Sequence, residues 1–141
     1  MRAHIQEPLG RYEPRGPGHR PSSLSLECRV QSGVAVVVPL EPVVIGADNV
    51  SDLESIIVEC MSQGAPVVLD ASKIEFFESE GIDGLMYFDR CAADTRVPFV
   101  LCGLNTALEQ VFRIYGLDCL FKVFPNADAA VRFLTRTTVW H

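Results

Sequence analysis

The chain has 141 residues, of which 48% are hydrophobic and 21% charged, with a formal net charge of −6. That length and balance suit one soluble domain with a real core rather than two. The longest unbroken apolar run, residues 34–38, is far short of the roughly 20 residues a membrane-spanning helix needs, so no span is expected. Arg2 and His4 occur near the start without an apolar stretch behind them, which gives no sign of a secretory signal and leads to an expectation of a cytoplasmic protein.

Residues 1–23 hold four of the nine prolines and three of the ten glycines, and nothing in them is periodic. They are expected to be a disordered tail, either a tether for an acidic partner or a solvated extension. Of 12 basic and 18 acidic residues, this tail takes four arginines and two glutamates, leaving eight and sixteen in a body of net charge about −8. An acidic body with no basic stripe argues against nucleic acid as a partner.

Structure is expected from residue 24, with one domain over 24–135 and a short tail over 136–141. Leu24, Leu26, Cys28 and Val30 alternate with polar residues, the pattern of a strand with one wet face. Gln31-Ser32-Gly33 turns the chain, and residues 34–38 return antiparallel to close a hairpin. Pro39 and Pro42 confine a third strand, around 43–45, to a short or edge position. Ser51 with Glu54 reads as a capping box, and Val50, Leu53, Ile56, Ile57, Cys60 and Met61 share one helical face up to Gly64. Val67, Val68 and Leu69, ending in Asp70, read as a strand buried on both faces. An acidic turn over 75–81 follows, with Ser79 in the position of a helix N-cap, and then a helix over about 80–93. A buried strand over 98–102 ends at Gly103. Thr106 with Glu109 reads as a second capping box for a helix carrying Leu108, Val111, Phe112 and Tyr115. A short strand over 121–124 leads through Asn126, a good N-cap, into a last helix ending near Leu134. The order β-β-β-α-β-α-β-α-β-α predicts an α/β domain of about four helices, its mixed sheet mainly parallel with an N-terminal antiparallel hairpin.

The search for chemistry excludes more than it finds. His4, His19 and His141 are the only histidines, so the body has no imidazole for triad catalysis or metal binding. Cys28, Cys60, Cys91, Cys102 and Cys119 are odd in number, without a C-x-x-C pair, and read as reduced buried thiols rather than a disulfide framework or zinc site. There is no glycine-rich phosphate loop, and no cofactor is expected. Gly81-Ile82-Asp83-Gly84 spells the G-x-x-G of an RNA-binding loop, but an aspartate there would repel a phosphate backbone, and close helix packing explains the two glycines better. Glu75, Glu78, Glu80 and Asp83 could form a catalytic or divalent-metal cluster; solvated acids near a helix N-terminus are the better account, since no nucleophile or base accompanies them. From the residues alone Ser79 reads first as an N-cap, and a hydroxyl exposed at the positive end of a helix is also a plausible place to add phosphate.

The strand Val67-Val68-Leu69-Asp70 and the segment F-E-S-E-G-I-D-G, residues 77–84, resemble the central motif of the STAS domain family, named for sulfate transporters and anti-sigma factor antagonists. Residues 97–134 are similar to that family's C-terminal half, so the resemblance covers roughly 24–134. In anti-sigma factor antagonists of the family, the first serine of D-S-S-G is phosphorylated by a kinase that is also an anti-sigma factor. That serine falls on Ser79, with Glu78 in place of the aspartate and Glu80 in place of the second serine. The resemblance implies a non-enzymatic interaction module whose partner-binding surface comprises Glu78, Ser79, Glu80, Gly81 and Asp83. Its partner would be a serine-kinase anti-sigma factor and its switch phosphorylation of Ser79. The alternative is a STAS subunit of a transport or signalling complex without a phosphoswitch.

Overall fold

Ser32 and Gly33 both take positive φ, 55° and 82°, the backbone of a two-residue hairpin turn whose twist matches that of its flanking strands. This turn starts the architecture in the computed structural model, which describes residues 11–12 and 24–136. It joins β2 (Leu26–Gln31) to β3 (Val34–Pro39), while β1 (Arg11–Tyr12) pairs antiparallel along the far side of β2. The chain continues through β4 (Val43–Ile45), α1 (Val50–Ser62), β5 (Val67–Asp70), β6 (Ile74–Phe77) and α2 (Ser79–Thr95). It then forms β7 (Phe99–Cys102), α3 (Thr106–Ile114), a 3-10 turn at Leu117–Cys119, β8 (Val123–Phe124) and α4 (Ala127–Arg136). The main sheet has the order β1-β2-β3-β5-β7-β8, antiparallel through β3 and parallel from β3 to β8. Its mixed character, the hairpin flank and the four helices agree with the expectation from sequence.

The apolar runs that defined the central strands are explained by what covers them. On β3, β5 and β7, Ala35, Val37, Val67, Leu69, Phe99 and Leu101 join a large core with α1, α2 and α3. The alternate residues Val34, Val36, Val68, Val100 and Cys102 face the other way, into a smaller core with Ala127, Ala130, Val131 and Leu134 of α4. Strands with helices on both faces have no wet side, so their side chains need not alternate in polarity.

Three details differ from the sequence reading. Arg11–Tyr12 lies within the segment expected to be disordered yet is strand-paired; the rest of residues 1–23, and residues 137–141, lie outside the described residues. The segment read as an acidic turn contains β6, which pairs parallel with β4 in a separate two-stranded sheet. Its four residues, Ile-Glu-Phe-Phe, are too few to show a period, and only the non-local pairing with β4 makes them a strand. The expected capping boxes at Ser51 and Thr106 do not form, because an asparagine immediately before each helix takes the N-cap position. Asn105 accepts from the Leu108 N–H at 2.8 Å, while Asn49 caps α1 by position and uses its side chain to tie the preceding loop, accepting from Gly46 N–H and donating to the Val44 carbonyl. Asn126 accepts from the Ala129 N–H at 2.9 Å, as expected of an N-cap.

One buried carboxylate holds the entry to the hairpin. Asp52, on the first turn of α1, is 8% exposed and accepts the Leu24 N–H at 2.8 Å. Replacing Asp52 by alanine leaves that N–H buried without a partner, which typically costs about 1–3 kcal/mol. Urea denaturation of Asp52→Ala is therefore expected to show a loss of stability in that range, with an unchanged m-value.

Cys102 ends β7 opposite Asp70 of β5. Burial first, and then the neighbouring carboxylate, push the thiol up to about 12. A raised thiol pKa means the neutral form persists at pH 7–9, and the thiolate is the reactive species. Iodoacetamide at pH 8 is expected to label the exposed Cys119 and to spare Cys102 until denaturant is added, as read by peptide mass spectrometry.

Candidate functional site

The site is assembled where β6 hands over to α2. The Glu78 N–H donates to the Ile45 carbonyl at 2.8 Å, extending the β4–β6 pairing by one bond, and its own carbonyl accepts the Ile82 N–H at 2.9 Å. Glu78 is thus the last extended residue and the N-cap, without a side-chain cap bond, and Ser79 is the first residue of the helix. This corrects the expectation that Ser79 is the cap, since the bond to Ile45 fixes the start of the helix one residue earlier. Ser79 remains at the positive end of a 17-residue helix and is exposed, where the first N–H groups lack intrahelical partners.

Two glycines set how closely this helix start can approach the rest of the fold. A Cβ on Gly81 would lie 2.5 Å from the Ile45 carbonyl oxygen and 3.2 Å from Ile45 Cγ2. A Cβ on Gly84 would lie 2.5 Å from Val50 Cγ2. The G-x-x-G spacing therefore serves close packing of α2 against the end of β4 and the start of α1. Gly46 has the same character from the other side, since a Cβ there would overlap the Glu78 carboxylate.

Of the five residues expected to meet a partner, Glu78, Ser79, Glu80 and Asp83 are exposed, whereas Gly81 is buried behind them and acts by position. Glu78, Ser79 and Asp83 line a groove of about 400 Å³. Its other side comprises Phe76 and Phe77 of β6 with Val111 of α3 and Tyr115 at the C-cap of that helix. Glu75 and Glu80 are not among the residues that line it. Phe76 is 44% exposed and Tyr115 73%, with Ile114 beside it at 75%.

The apolar wall is what sequence reasoning missed. Phe76 was hidden inside a supposed turn, and Tyr115 sat on what looked like the buried stripe of its helix. Only Leu108 and Phe112 of that stripe are buried in α3; Val111 is half-buried and Tyr115 is at the C-cap, beyond the last helical residue. Gly116, directly after it, was the available signal that Tyr115 stands at the helix end.

Chemically the groove offers a hydroxyl, two carboxylates and apolar surface. It contains no imidazole, amine or thiol to act as base or nucleophile. Among the described residues, no group of three or more His, Cys, Asp or Glu side chains is placed to hold a metal ion. No helix among them is long and apolar enough to cross a membrane. Exposed aromatics beside charged groups are the composition of a protein-contact surface.

Comparison with known proteins agrees with this architecture. No curated protein matches the chain. Among solved structures, an anti-sigma factor antagonist from Mycobacterium paratuberculosis is similar over 82% of this chain and 97% of its own, at 24% identity and a TM-score of 0.70. The Bacillus cell fate determinant SpoIIAA in its phosphorylated form matches 77% of this chain and 98% of its own, at 16% identity and a TM-score of 0.58. The murine anion transporter Slc26a9 matches 77% of this chain with 19% of its own length, at 20% identity and a TM-score of 0.61. At these identities the likeness shows the fold. A family model described as "Mlab, STAS domain" matches residues 30–122, and the chain belongs to the STAS domain family.

Proposed function

We propose that this protein is a non-enzymatic, cytoplasmic interaction module that binds a protein partner through the groove beside Ser79, and that phosphorylation of Ser79 switches this binding. The observation that carries the reading is the exposed Ser79 hydroxyl at the head of α2, beside a groove walled by the exposed aromatics Phe76 and Tyr115. The partner is a serine-kinase anti-sigma factor. Similarity to antagonists of anti-sigma factors, one of them in a phosphorylated form, supports this class of partner. The acidic body disfavours nucleic acid.

Phosphate at Ser79 would gain about 0.3–1 kcal/mol from the helix dipole. It would also face the Glu80 carboxylate next to it, and two unit charges ~6 Å apart repel by about 0.7 kcal/mol even at water-like screening. The two effects are of similar size, so Glu80 opposes the modification. Glu80 also gives the surface a permanent negative charge where the family pattern has a serine.

A second reading has its own support. The matching family model carries the Mlab description and one similar structure is an anion transporter, which favours a STAS subunit of a transport or signalling complex, bound through the same surface without a phosphoswitch.

Affinity capture with wild type, Ser79→Ala and Tyr115→Ser, followed by mass spectrometry of Ser79, separates these readings. Ser79 makes no cap bond, so Ser79→Ala is expected to change stability by no more than about 0.5 kcal/mol. A kinase anti-sigma factor captured by wild type, lost with Tyr115→Ser and unable to modify Ser79→Ala, is the expected result. Transport components captured equally by wild type and Ser79→Ala would replace it with the second reading.

Glu80→Ser is expected to raise the rate of Ser79 phosphorylation by the captured kinase at fixed ionic strength. An equal or lower rate would refute the electrostatic role of Glu80.

A further inference from the structure

Cys28 of β2 and Cys60 of α1 are 32 positions apart in sequence, yet their Sγ atoms lie 3.9 Å apart inside the larger core. We propose that they form a redox dithiol, which hydrogen peroxide converts into a disulfide joining β2 to α1. No other pair of thiols is in contact among the described residues.

Geometry favours the bond. At 3.9 Å the two sulfurs are close to contact, and reaching the ~2.05 Å of a disulfide needs an approach of about 2 Å shared between the two side chains. The thiols are also unequal. Cys28 keeps a slight exposure that Cys60 lacks, so peroxide reaches Cys28 first, and Cys28 is the attacking sulfur and Cys60 the resolving one. Their contact, in which either S–H can donate, lowers the Cys28 thiol from its ordinary value and, with burial, raises Cys60.

Access requires a local opening, since Cys28 is 3% exposed and Cys60 fully enclosed. Segments of a domain open at lower free energy than the whole domain unfolds.

The chemistry balances in two steps. The Cys28 thiolate attacks one peroxide oxygen and the O–O bond breaks. The departing hydroxide takes the proton that Cys28 gave up and leaves as water, and Cys28 becomes a sulfenic acid. The Cys60 sulfur then attacks the Cys28 sulfur, the S–O bond breaks, and the Cys60 proton leaves with the hydroxide as a second water. Two thiols lose two electrons, and one peroxide is reduced to two waters.

The product staples β2 to α1, whose first turn is already tied through Asp52 to Leu24, just before β2. Constraining a loop of this length in the unfolded chain is expected to raise the thermal midpoint by roughly 5–15 °C. Because α1 packs on α2 through Val50 and Gly84, the staple also stiffens the mount of the α2 N-terminus.

The test uses the full-length reduced protein, treated with stoichiometric hydrogen peroxide, quenched with N-ethylmaleimide and mapped by non-reducing peptide mass spectrometry. The expected result is a linked Cys28–Cys60 peptide pair two hydrogens lighter than the thiols, with the raised midpoint reversed by dithiothreitol. In Cys60→Ala and Cys60→Ser, Cys28 should be trapped as a dimedone adduct, and any loss of fold in either is visible by circular dichroism. Recovery of Cys28 and Cys60 from wild type both carrying N-ethylmaleimide, or linkage confined to Cys91 and Cys119, would overturn the proposal.

Discussion

Burial of β3, β5 and β7 on both faces is the constraint on which the rest of the structure depends. Each fully buried valine or leucine contributes on the order of 1.5–3 kcal/mol relative to exposure, and these three strands place such residues on both sides of the sheet. Two-sided burial requires helices on both faces, and parallel strands require crossovers to carry them. The segments between the strands are therefore obliged to be helices packed on the sheet. The chain then delivers β6 and α3 to the same end of the domain because they follow the parallel strands β5 and β7, and α2 starts where β6 ends.

At that end the fold is organised around one backbone group, the Ile45 carbonyl. It accepts the Glu78 N–H and is the atom that a side chain at position 81 would strike. One oxygen thus sets both the last residue of the extended segment and the depth at which α2 sits. Glu78, Ser79 and Asp83 are displayed as a consequence, with Gly81 turned inward to allow the approach. The site is rigid at its base, since it rests on strand pairing and glycine packing, and polar at its surface, where nothing in the core competes for the side chains.

The electrostatic character of the surface follows from its position. Acids near a helix N-terminus are favoured by the dipole, so the fold tolerates Glu78, Glu80 and Asp83 there without basic neighbours in the groove. The same acids bias the chemistry of Ser79, because an added phosphate would share with them a field strong enough for one such group. Tyr115 and Phe76 add exposed aromatic surface beside this charge.

Much of the fold could be read from the sequence because its signals are local. The two-faced strand at 67–70, the hairpin closed at Ser32-Gly33, the stripe on α1 and the cap at Asn126 each depend on residues within a few positions of one another, and period and turn chemistry suffice for them. The family motif likewise pointed to Ser79, because the strand, turn and serine are contiguous. What the tertiary structure alone decided is non-local. β6 is a strand only because β4 lies beside it, and α2 starts at Ser79 only because Ile45 accepts the bond from Glu78. Phe76 and Tyr115 share a groove only because α3 packs across from β6. Cys28 and Cys60 meet only because α1 packs over β3 and β5, next to β2. Pairing, helix-on-strand packing and the convergence of distant side chains are set by the burial of the whole core, and no window of sequence contains them.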